Sequence, residues 1–293
     1  MKTYPESKDE AYQRYILKKD DNTNVIYNFI EANLSQYLPY SDPGFEYKLS
    51  QDFFAHLWEM NLVLYLLKHH FYVFPKSKSD GPDIRLRDEK KSIINIELVC
   101  PNTEKDDVKP KNYYSSIDIN NMKHGIVFEK FEPEKIELRI QSVLDTKMKK
   151  IKRYISTNKI STSDINIIAV SGARLPFASL NMLFGVEINV LRSILPIGNL
   201  YSTIDFDTGN IGNDHFEYKP ANINRNRSLV SKTIFDDNGY SCISGIIYST
   251  NRLLDLEKSN TNKLFIIKNY NAWNKLDSCL NIDEILIDDN CDI

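Results

Sequence analysis

The chain has 293 residues, and its 42% hydrophobic and 26% charged content is ordinary for a soluble globular protein with one large domain or two modest ones. A net charge of −3 excludes a uniformly basic nucleic-acid-binding protein, although a local basic patch can still bind phosphate. No apolar run approaches the length of about 18 residues that a membrane span needs, so we expect no contact with a membrane.

The cysteine pattern and the amino terminus predict where the protein resides. The four cysteines form no CxxC pair and show no zinc-ligand spacing with the five histidines, so a structural zinc site is not expected. The first residues, MKTYPESKDE, contain no apolar signal region. We therefore expect a reducing, cytoplasmic location.

The first hundred residues predict helices followed by short strands. Residues 1–49 have the composition of a polar, partly helical lead-in. Ser50 is a suitable N-cap for the apolar helix that follows, and Asp52 suits the first turn of that helix. Three short strands are predicted next, over Phe71–Phe74, Asp83–Leu86 and Ile93–Cys100.

The middle of the chain completes an α/β pattern. Residues 101–131 are polar and irregular, and Pro133 then opens a helix that we expect to end near Ser156. The apolar run Ile165–Val170 predicts a further strand. The order of helix, three strands, helix and strand predicts an α/β fold.

The last third of the chain gives weaker signals. Val186–Leu191 fits a helix or a strand, and residues 198–228 have the composition of turns and loops. Two more buried strands and a short last helix are predicted over Cys242–Tyr248, Leu264–Ile267 and Ala272–Leu276. We expect a core over residues 50–172, and an extension over 173–293 that packs on the same domain and enlarges its central sheet.

Two acidic side chains occupy unusual positions. Glu97 lies inside a strand whose other residues predict burial on both faces, and Asp83 follows a Gly-Pro turn just before the preceding strand. A buried carboxylate must be paired, protonated or bound to a metal, because an isolated buried charge costs several kcal/mol. The alternatives are that Glu97 reaches solvent or an arginine at the strand end, and that Asp83 is an ordinary turn residue.

A third acid, Glu59, interrupts the first strong helix. Almost every residue between Phe53 and Leu67 is apolar, and a helix that is hydrophobic nearly all round is a buried one. Glu59 is therefore predicted to lie inside the protein. The alternative is that this side of the helix faces water.

A lysine lies at the centre of the apolar stripe of the second helix. Projection at about 100° per residue puts Lys147 near the middle of that stripe, whereas Lys149, Lys150 and Arg153 fall outside it. A lysine in that position needs an acidic partner or a lowered pKa. The alternative is that its amine extends past the stripe to reach water. The stripe consists of Ile136, Ile140, Val143, Leu144, Met148, Ile151, Tyr154 and Ile155.

Buried carboxylates together with a buried lysine are the groups that metal-assisted phosphodiester hydrolysis needs. Carboxylate oxygens bind Mg²⁺, a hard cation. The metal lowers the pKa of a bound water and neutralises phosphate charge. A lysine orients that water or stabilises the charge that develops at phosphorus.

Gly81-Pro82-Asp83 followed by Ile96-Glu97-Leu98-Val99 resembles the PD-(D/E)XK nuclease superfamily over roughly Ser50 to Val170. The resemblance implies a restriction-endonuclease-like core, with a central mixed sheet flanked by helices. It also implies that Asp83 and Glu97 bind Mg²⁺ or Mn²⁺, and that Glu59 is the acid many members carry on the preceding helix.

One position departs from the family pattern. The motif lysine should stand two residues after Glu97, where this chain has Val99. Some members carry that lysine on the following helix instead, and Lys147 is placed to supply it. Arg139 and Gln141 on the same helix are candidates to assist.

These features predict a hydrolase, a metal-dependent endonuclease acting on DNA, because the family mostly cuts DNA. Between Thr146 and Lys159 lie six basic residues and no acidic one. The predicted contacts to nucleic acid are Arg139, Lys149, Lys150 and Arg153. The alternative is a catalytically inactive module of the same fold that binds nucleic acid or a protein partner. Cutting both strands of a duplex would favour a homodimer.

Overall fold

Eleven strands and six α-helices are found in the part of the chain that the computed structural model describes. That part covers residues 1–18, 24–76, 80–101, 133–175, 188–223, 227–232, 234–235, 238–249, 264–277, 280 and 282–285. The predicted irregular segment 101–131 therefore lies almost entirely outside the described residues. The helices are α1 (Glu10–Tyr12, continued by a π-helical turn over Gln13–Leu17), α2 (Asn24–Tyr37), α3 (Phe45–Gln51), α4 (Phe53–Lys68), α5 (Pro133–Ser156) and α6 (Ile188–Ile194).

A mixed sheet forms the centre of the molecule. The strands are β1 (Tyr72–Val73), β2 (Ile84–Arg87), β3 (Ile93–Val99), β4 (Ile165–Ser171), β5 (Ile197–Ile204), β6 (Ile211–Tyr218), β7 (Ala221–Ile223), β8 (Leu229–Ser231), β9 (Gly245–Ser249), β10 (Leu264–Lys268) and β11 (Asp283–Ile285). Seven of them pair in the order β1-β2-β3-β4-β9-β10-β11. Because β3, β4 and β9 are parallel neighbours and the β1-β2, β2-β3 and β9-β10 pairs are antiparallel, the fold is α/β with a mixed sheet.

Helices cover both faces of this sheet. Every residue of β4 is buried, as expected for a central strand written as a continuous apolar run. Its side chains alternate, so that Ile167 and Ala169 join the apolar cluster of α1–α4. Ile168 and Val170 join the cluster of α5 and α6 on the other face. The predicted extension of the sheet by the last third of the chain is confirmed by β9 and β10.

The amino-terminal residues contribute to the core. Tyr12, Ile16, Ile26 and Ile30 are completely buried in the same apolar cluster as α4. These helices therefore cover one face of the sheet, although the segment is polar in composition. Among the residues described, no helix is both long and apolar enough to cross a membrane.

The helix and strand bounds follow the sequence closely in the core. The predicted Pro133–Ser156 helix is confirmed at both ends, and the strands predicted over Ile93–Cys100 and Ile165–Val170 each differ by one residue. The cap predicted at Ser50 is wrong, because Ser50 lies within α3. Asp52 caps α4 instead, and its carboxylate accepts a hydrogen bond from the Ala55 amide at 3.2 Å.

Two predictions for the last third are wrong. Residues 198–228 contain the β5–β6 hairpin rather than turns alone. Most residues of the hairpin are exposed, so its sequence lacks the apolar alternation that predicts a strand. Even the large side chains of Tyr201, Ile204 and Phe206 are more than half exposed. The helix predicted over Ala272–Leu276 is absent from these described residues, because the Trp273 amide donates to the distant Ser241 carbonyl at 2.8 Å. The ambiguous Val186–Leu191 segment is helical from Ile188 onward.

A buried ion pair joins the last third of the chain to α5. Lys232 is completely buried, and its Nζ lies 3.3 Å from Glu137 Oε2 and donates to the Ile197 carbonyl. Asn222 Nδ2 donates to the same Glu137 oxygen at 2.7 Å. Burial lowers the pKa of Lys232, and the neighbouring Glu137 carboxylate opposes that shift. The strands after α6 are therefore anchored to the first half of α5 by polar contacts.

The Lys232→Met variant should lose about 3–5 kcal/mol of unfolding free energy, because it leaves Glu137 buried without its cation. Urea denaturation of the two proteins measures the difference. The Lys219→Met variant is the matched control, because Lys219 pairs with the exposed Glu134 and should lose less than about 1 kcal/mol. Equal losses in the two variants would contradict the assigned role of Lys232.

Candidate active site

The strand pairing brings the two acids together. β2 and β3 are antiparallel with Ile84 opposite Ile96, so that continuing the register by one residue puts Asp83 opposite Glu97. The Leu98 amide donates to Asp83 Oδ2 at 2.7 Å and fixes that carboxylate. Glu97 is only 1% exposed, which confirms the predicted burial, and it lies on the face of the sheet that α5 covers.

Helix α5 supplies two lysines to these acids. Lys147 Nζ lies 2.8 Å from Glu97 Oε2 and 3.1 Å from Asp83 Oδ2. Lys150, on the same helix face three residues later, lies 2.8 Å from Glu97 Oε2 and 3.5 Å from Asp83 Oδ1. We call Asp83, Glu97, Lys147 and Lys150 the ion cluster.

The environment of the ion cluster moves the pKa values of its two acids in opposite directions. Burial raises the pKa of Glu97, and the nearby Asp83 charge raises it further, while the two lysines only partly offset these effects. Burial also acts to raise the pKa of Asp83, but Lys147, Lys150 and the Leu98 amide outweigh it, so the Asp83 pKa is lowered. The two carboxylates raise the pKa of Lys150 against the opposing effect of its burial.

One oxygen of the ion cluster has no partner. Glu97 Oε1 is buried and accepts no hydrogen bond from any residue that the structure describes, and Asp83 Oδ1 has only the long 3.5 Å contact to Lys150. Two carboxylate oxygens with unused lone pairs fit a hard cation such as Mg²⁺ or Mn²⁺. Within the described ranges no group of three or more Asp, Glu, His or Cys is placed to hold a metal ion, so such a cation would keep several water ligands, as Mg²⁺ usually does.

Glu59 lies beside the ion cluster rather than in it. It is buried on α4, as predicted, and its Oε1 lies 3.5 Å from Lys76 Nζ. The same ammonium donates to the Asp83 carbonyl at 2.7 Å, so Lys76 links Glu59 to the motif aspartate. His56 Nδ1 lies 3.7 Å from the other oxygen of Glu59. No periodic pattern marks Lys76, because it follows a strand of only two residues.

The basic residues predicted to bind nucleic acid have different surroundings. Lys150 lies outside the apolar stripe, as the projection predicts, but it is half buried and its amine reaches the two acids instead of solvent. Lys149 is exposed and pairs with Asp145 at 2.6 Å, and Arg153 is exposed near Asp80. Arg139 is half buried, with an Nε that has no partner among the described residues.

Gln141, predicted to assist the site, lies in a different environment. It is buried, and its Nε2 donates to the Ser231 carbonyl at 3.0 Å. Its amide therefore helps to hold β8 against α5. The expectation that Gln141 assists the site is not supported by this contact.

Tyr154 attaches the Gly-Pro-Asp turn to α5. Its hydroxyl donates to the Gly81 carbonyl at 2.7 Å and lies 3.2 Å from Asp80 Oδ1. Lys150, Arg153 and Lys159 approach its ring to within 5.4–5.7 Å of the centroid, close enough for cation–π attraction. Sequence reasoning counted Tyr154 only as part of the apolar stripe, because nothing local distinguishes its hydroxyl contact.

The comparison with known proteins identified no relative of this chain. Protein-family models, curated proteins and solved structures were all compared with the chain, and none matches it. The function therefore has to be inferred from the residues of the site.

The Tyr154→Phe variant should lose about 1 kcal/mol of unfolding free energy, because it leaves the Gly81 carbonyl without its donor while keeping the ring and its cation contacts. Chemical denaturation measures the loss. Tyr218→Phe is the control, because Tyr218 is mostly exposed and its substitution should leave stability unchanged within error. A neutral Tyr154→Phe would mean that the hydroxyl contact does not hold the turn.

Proposed function

We propose that the protein is a metal-dependent nuclease of the PD-(D/E)XK type that hydrolyses phosphodiester bonds. The observation that carries the proposal is the meeting of Asp83 and Glu97 with Lys147. The lysine amine lies within 3.1 Å of both carboxylates, although the three residues come from three different elements of the chain. An acid pair with a lysine is the set of groups that the superfamily uses.

The donor set supports a divalent cation at the acid pair. Asp83 and Glu97 would hold Mg²⁺ or Mn²⁺, since Glu97 Oε1 is buried without a partner among the described residues and Asp83 Oδ1 is only weakly engaged. When bound, such a cation lowers the pKa of a coordinated water and offsets the phosphate charge. Asp83 carries the negative charge needed for this role, because its pKa is lowered.

Lys147 would supply the function of the displaced motif lysine. Val99 occupies the position two residues after Glu97 and packs half buried against the apolar cluster of α5. The Lys147 amine reaches Glu97 from the helix instead, at 2.8 Å. From there it can orient the attacking water by a hydrogen bond, or stabilise the charge that builds up on the phosphate oxygens.

The order of elements also supports a restriction-endonuclease-like core. Helix α4 precedes the β1–β3 strands, and α5 precedes β4. β3 and β4 are parallel, so α5 lies in the crossover that joins them. This order agrees with the one that the sequence resemblance implies between Ser50 and Val170.

DNA is the substrate we propose, on the ground of the family resemblance. Lys149 and Arg153 are exposed on the helix that carries Lys147, where they can contact backbone phosphates. Lys150 would instead act at the reacting phosphate, because its amine lies in the ion cluster.

A cleavage assay tests the activity. Plasmid DNA, single-stranded DNA and RNA are each incubated with the protein in Mg²⁺, in Mn²⁺ and in EDTA. We expect cutting that EDTA abolishes and that the Asp83→Asn variant lacks, because that variant keeps the volume of the side chain but removes its charge. The substrate that is cut identifies the substrate class.

The same cleavage assay can support the alternative, a catalytically inactive module of the same fold. Val99 at the position of the motif lysine is the observation behind that alternative. Nucleic-acid binding without cutting of any substrate, in a folded preparation, would overturn the nuclease proposal. Cutting that persists in EDTA would overturn the metal-dependent chemistry.

The Lys147→Met variant should lose activity by about 100-fold or more, because it removes the positive charge that stabilises the reacting phosphate. The fold should survive, since methionine retains the apolar part of the side chain and Lys150 still neutralises Glu97. Initial cleavage rates and circular dichroism measure the two effects. Lys90→Met, in the exposed turn between β2 and β3, is the control and should keep full activity. Full activity of Lys147→Met would remove this lysine from the mechanism.

A further inference from the structure

The ion cluster already balances its own charge. Asp83 and Glu97 contribute two negative charges, and Lys147 and Lys150 contribute two positive ones. An acid pair with one lysine would keep a net negative charge and attract a divalent cation. The second lysine removes that attraction in this chain.

The contacts of Lys150 affect the oxygens on which a cation depends. Both ammonium groups lie 2.8 Å from Glu97 Oε2, so Oε1 is the oxygen left over. On Asp83, Oδ2 is engaged by Lys147 and by the Leu98 amide, which leaves Oδ1. Lys150 is the lysine that approaches Oδ1, at 3.5 Å. A cation bound to the two remaining oxygens would therefore lie beside the Lys150 ammonium and be repelled by it.

We propose that the acid pair binds its divalent cation and a phosphodiester together, and that Lys150 enforces this coupling by holding the carboxylates until a phosphate arrives. The inference rests on the proposed function, because it concerns the same site. A phosphodiester brings a negative charge and acceptor oxygens, which give Lys150 another partner. The carboxylate oxygens then become available to the cation, and the cation in turn strengthens phosphate binding.

Such coupling is reciprocal. If a phosphodiester tightens cation binding by some factor, the cation must tighten phosphodiester binding by the same factor. The coupling also keeps the site from being occupied by the cation or the phosphodiester alone, because neither ligand binds well without the other. Lys150 is therefore a positioning residue for the cation and the phosphate, distinct from the role of Lys147 toward the attacking water.

Calorimetry tests the coupling directly. Ca²⁺ is titrated into the full chain alone, and again in the presence of a saturating short oligonucleotide, with duplex DNA and single-stranded RNA in separate arms. We expect at least a tenfold tighter Ca²⁺ affinity with the oligonucleotide that the protein binds. The Lys150→Met variant should bind Ca²⁺ alone at least tenfold more tightly than the unchanged protein, and its gain from the oligonucleotide should shrink.

The controls separate charge from folding. Lys150→Gln keeps a polar side chain without the charge. It should give the Ca²⁺ affinities expected for Lys150→Met, and it takes the place of that variant if Lys150→Met folds poorly. Lys90→Met removes an exposed charge in the turn between β2 and β3 that pairs with Asp277, outside the ion cluster, and should change neither affinity. Ca²⁺ affinity in the unchanged protein that is equal with and without oligonucleotide, or that Lys150→Met and Lys150→Gln leave unaltered, would overturn the inference.

The result is distinguishable from a failure of the nuclease proposal. Metal-dependent cutting together with uncoupled Ca²⁺ binding would overturn the coupling and leave the nuclease intact. Coupled binding without cutting of any nucleic acid would support the coupling and overturn the nuclease, leaving a module that binds phosphate and cation together. No Ca²⁺ binding in any arm would overturn the coupling, and the cleavage assay in Mg²⁺ and Mn²⁺ would still decide the nuclease proposal.

Discussion

The position of α5 on the sheet depends on the contact between Glu97 and two lysines of that helix. A carboxylate that is 1% exposed costs several kcal/mol unless opposite charge and hydrogen bonds compensate for it. Lys147 and Lys150 provide that compensation only if α5 lies across the end of β3, which fixes the position of this long helix on the sheet. Tyr154 fastens the same helix to the turn that carries Asp83. The Gly-Pro-Asp turn, the central strand and the helix are thus held by one set of polar contacts.

The parallel pairing of β3 with β4 makes this arrangement accessible to the chain. Parallel neighbours need a crossover connection, and α5 occupies it, so residues far along the chain return over the carboxyl end of β3. A lysine can therefore reach Glu97 from the helix when the strand position has an apolar residue. Val99 is partly buried and packs against the cluster of α5 on the same face, where it adds apolar contact.

Sequence reasoning identified the elements whose signals are local and periodic. The apolar runs of β3 and β4, the Pro133 start of α5 and the stripe position of Lys147 all follow from spacing along the chain. The polar contacts of Lys150, Lys76 and Tyr154 were not predicted, because they depend on which residues of another element face them. A helical projection treats each helix alone. The β5–β6 hairpin was missed for the opposite reason, since its exposed faces leave little apolar alternation to detect.

The stability of the fold does not account for the composition of the ion cluster. Apolar residues of similar volume would fill the space between α5 and β3 at least as favourably, because buried ion pairs rarely repay their desolvation. The unpartnered Glu97 Oε1 adds a further penalty of about 1–3 kcal/mol. The neighbouring Glu59 and Lys76 repeat the pattern, with a second buried acid linked to the backbone of Asp83. Charged groups that apolar residues could replace, gathered where two strands and a helix meet, are consistent with a site for a charged ligand.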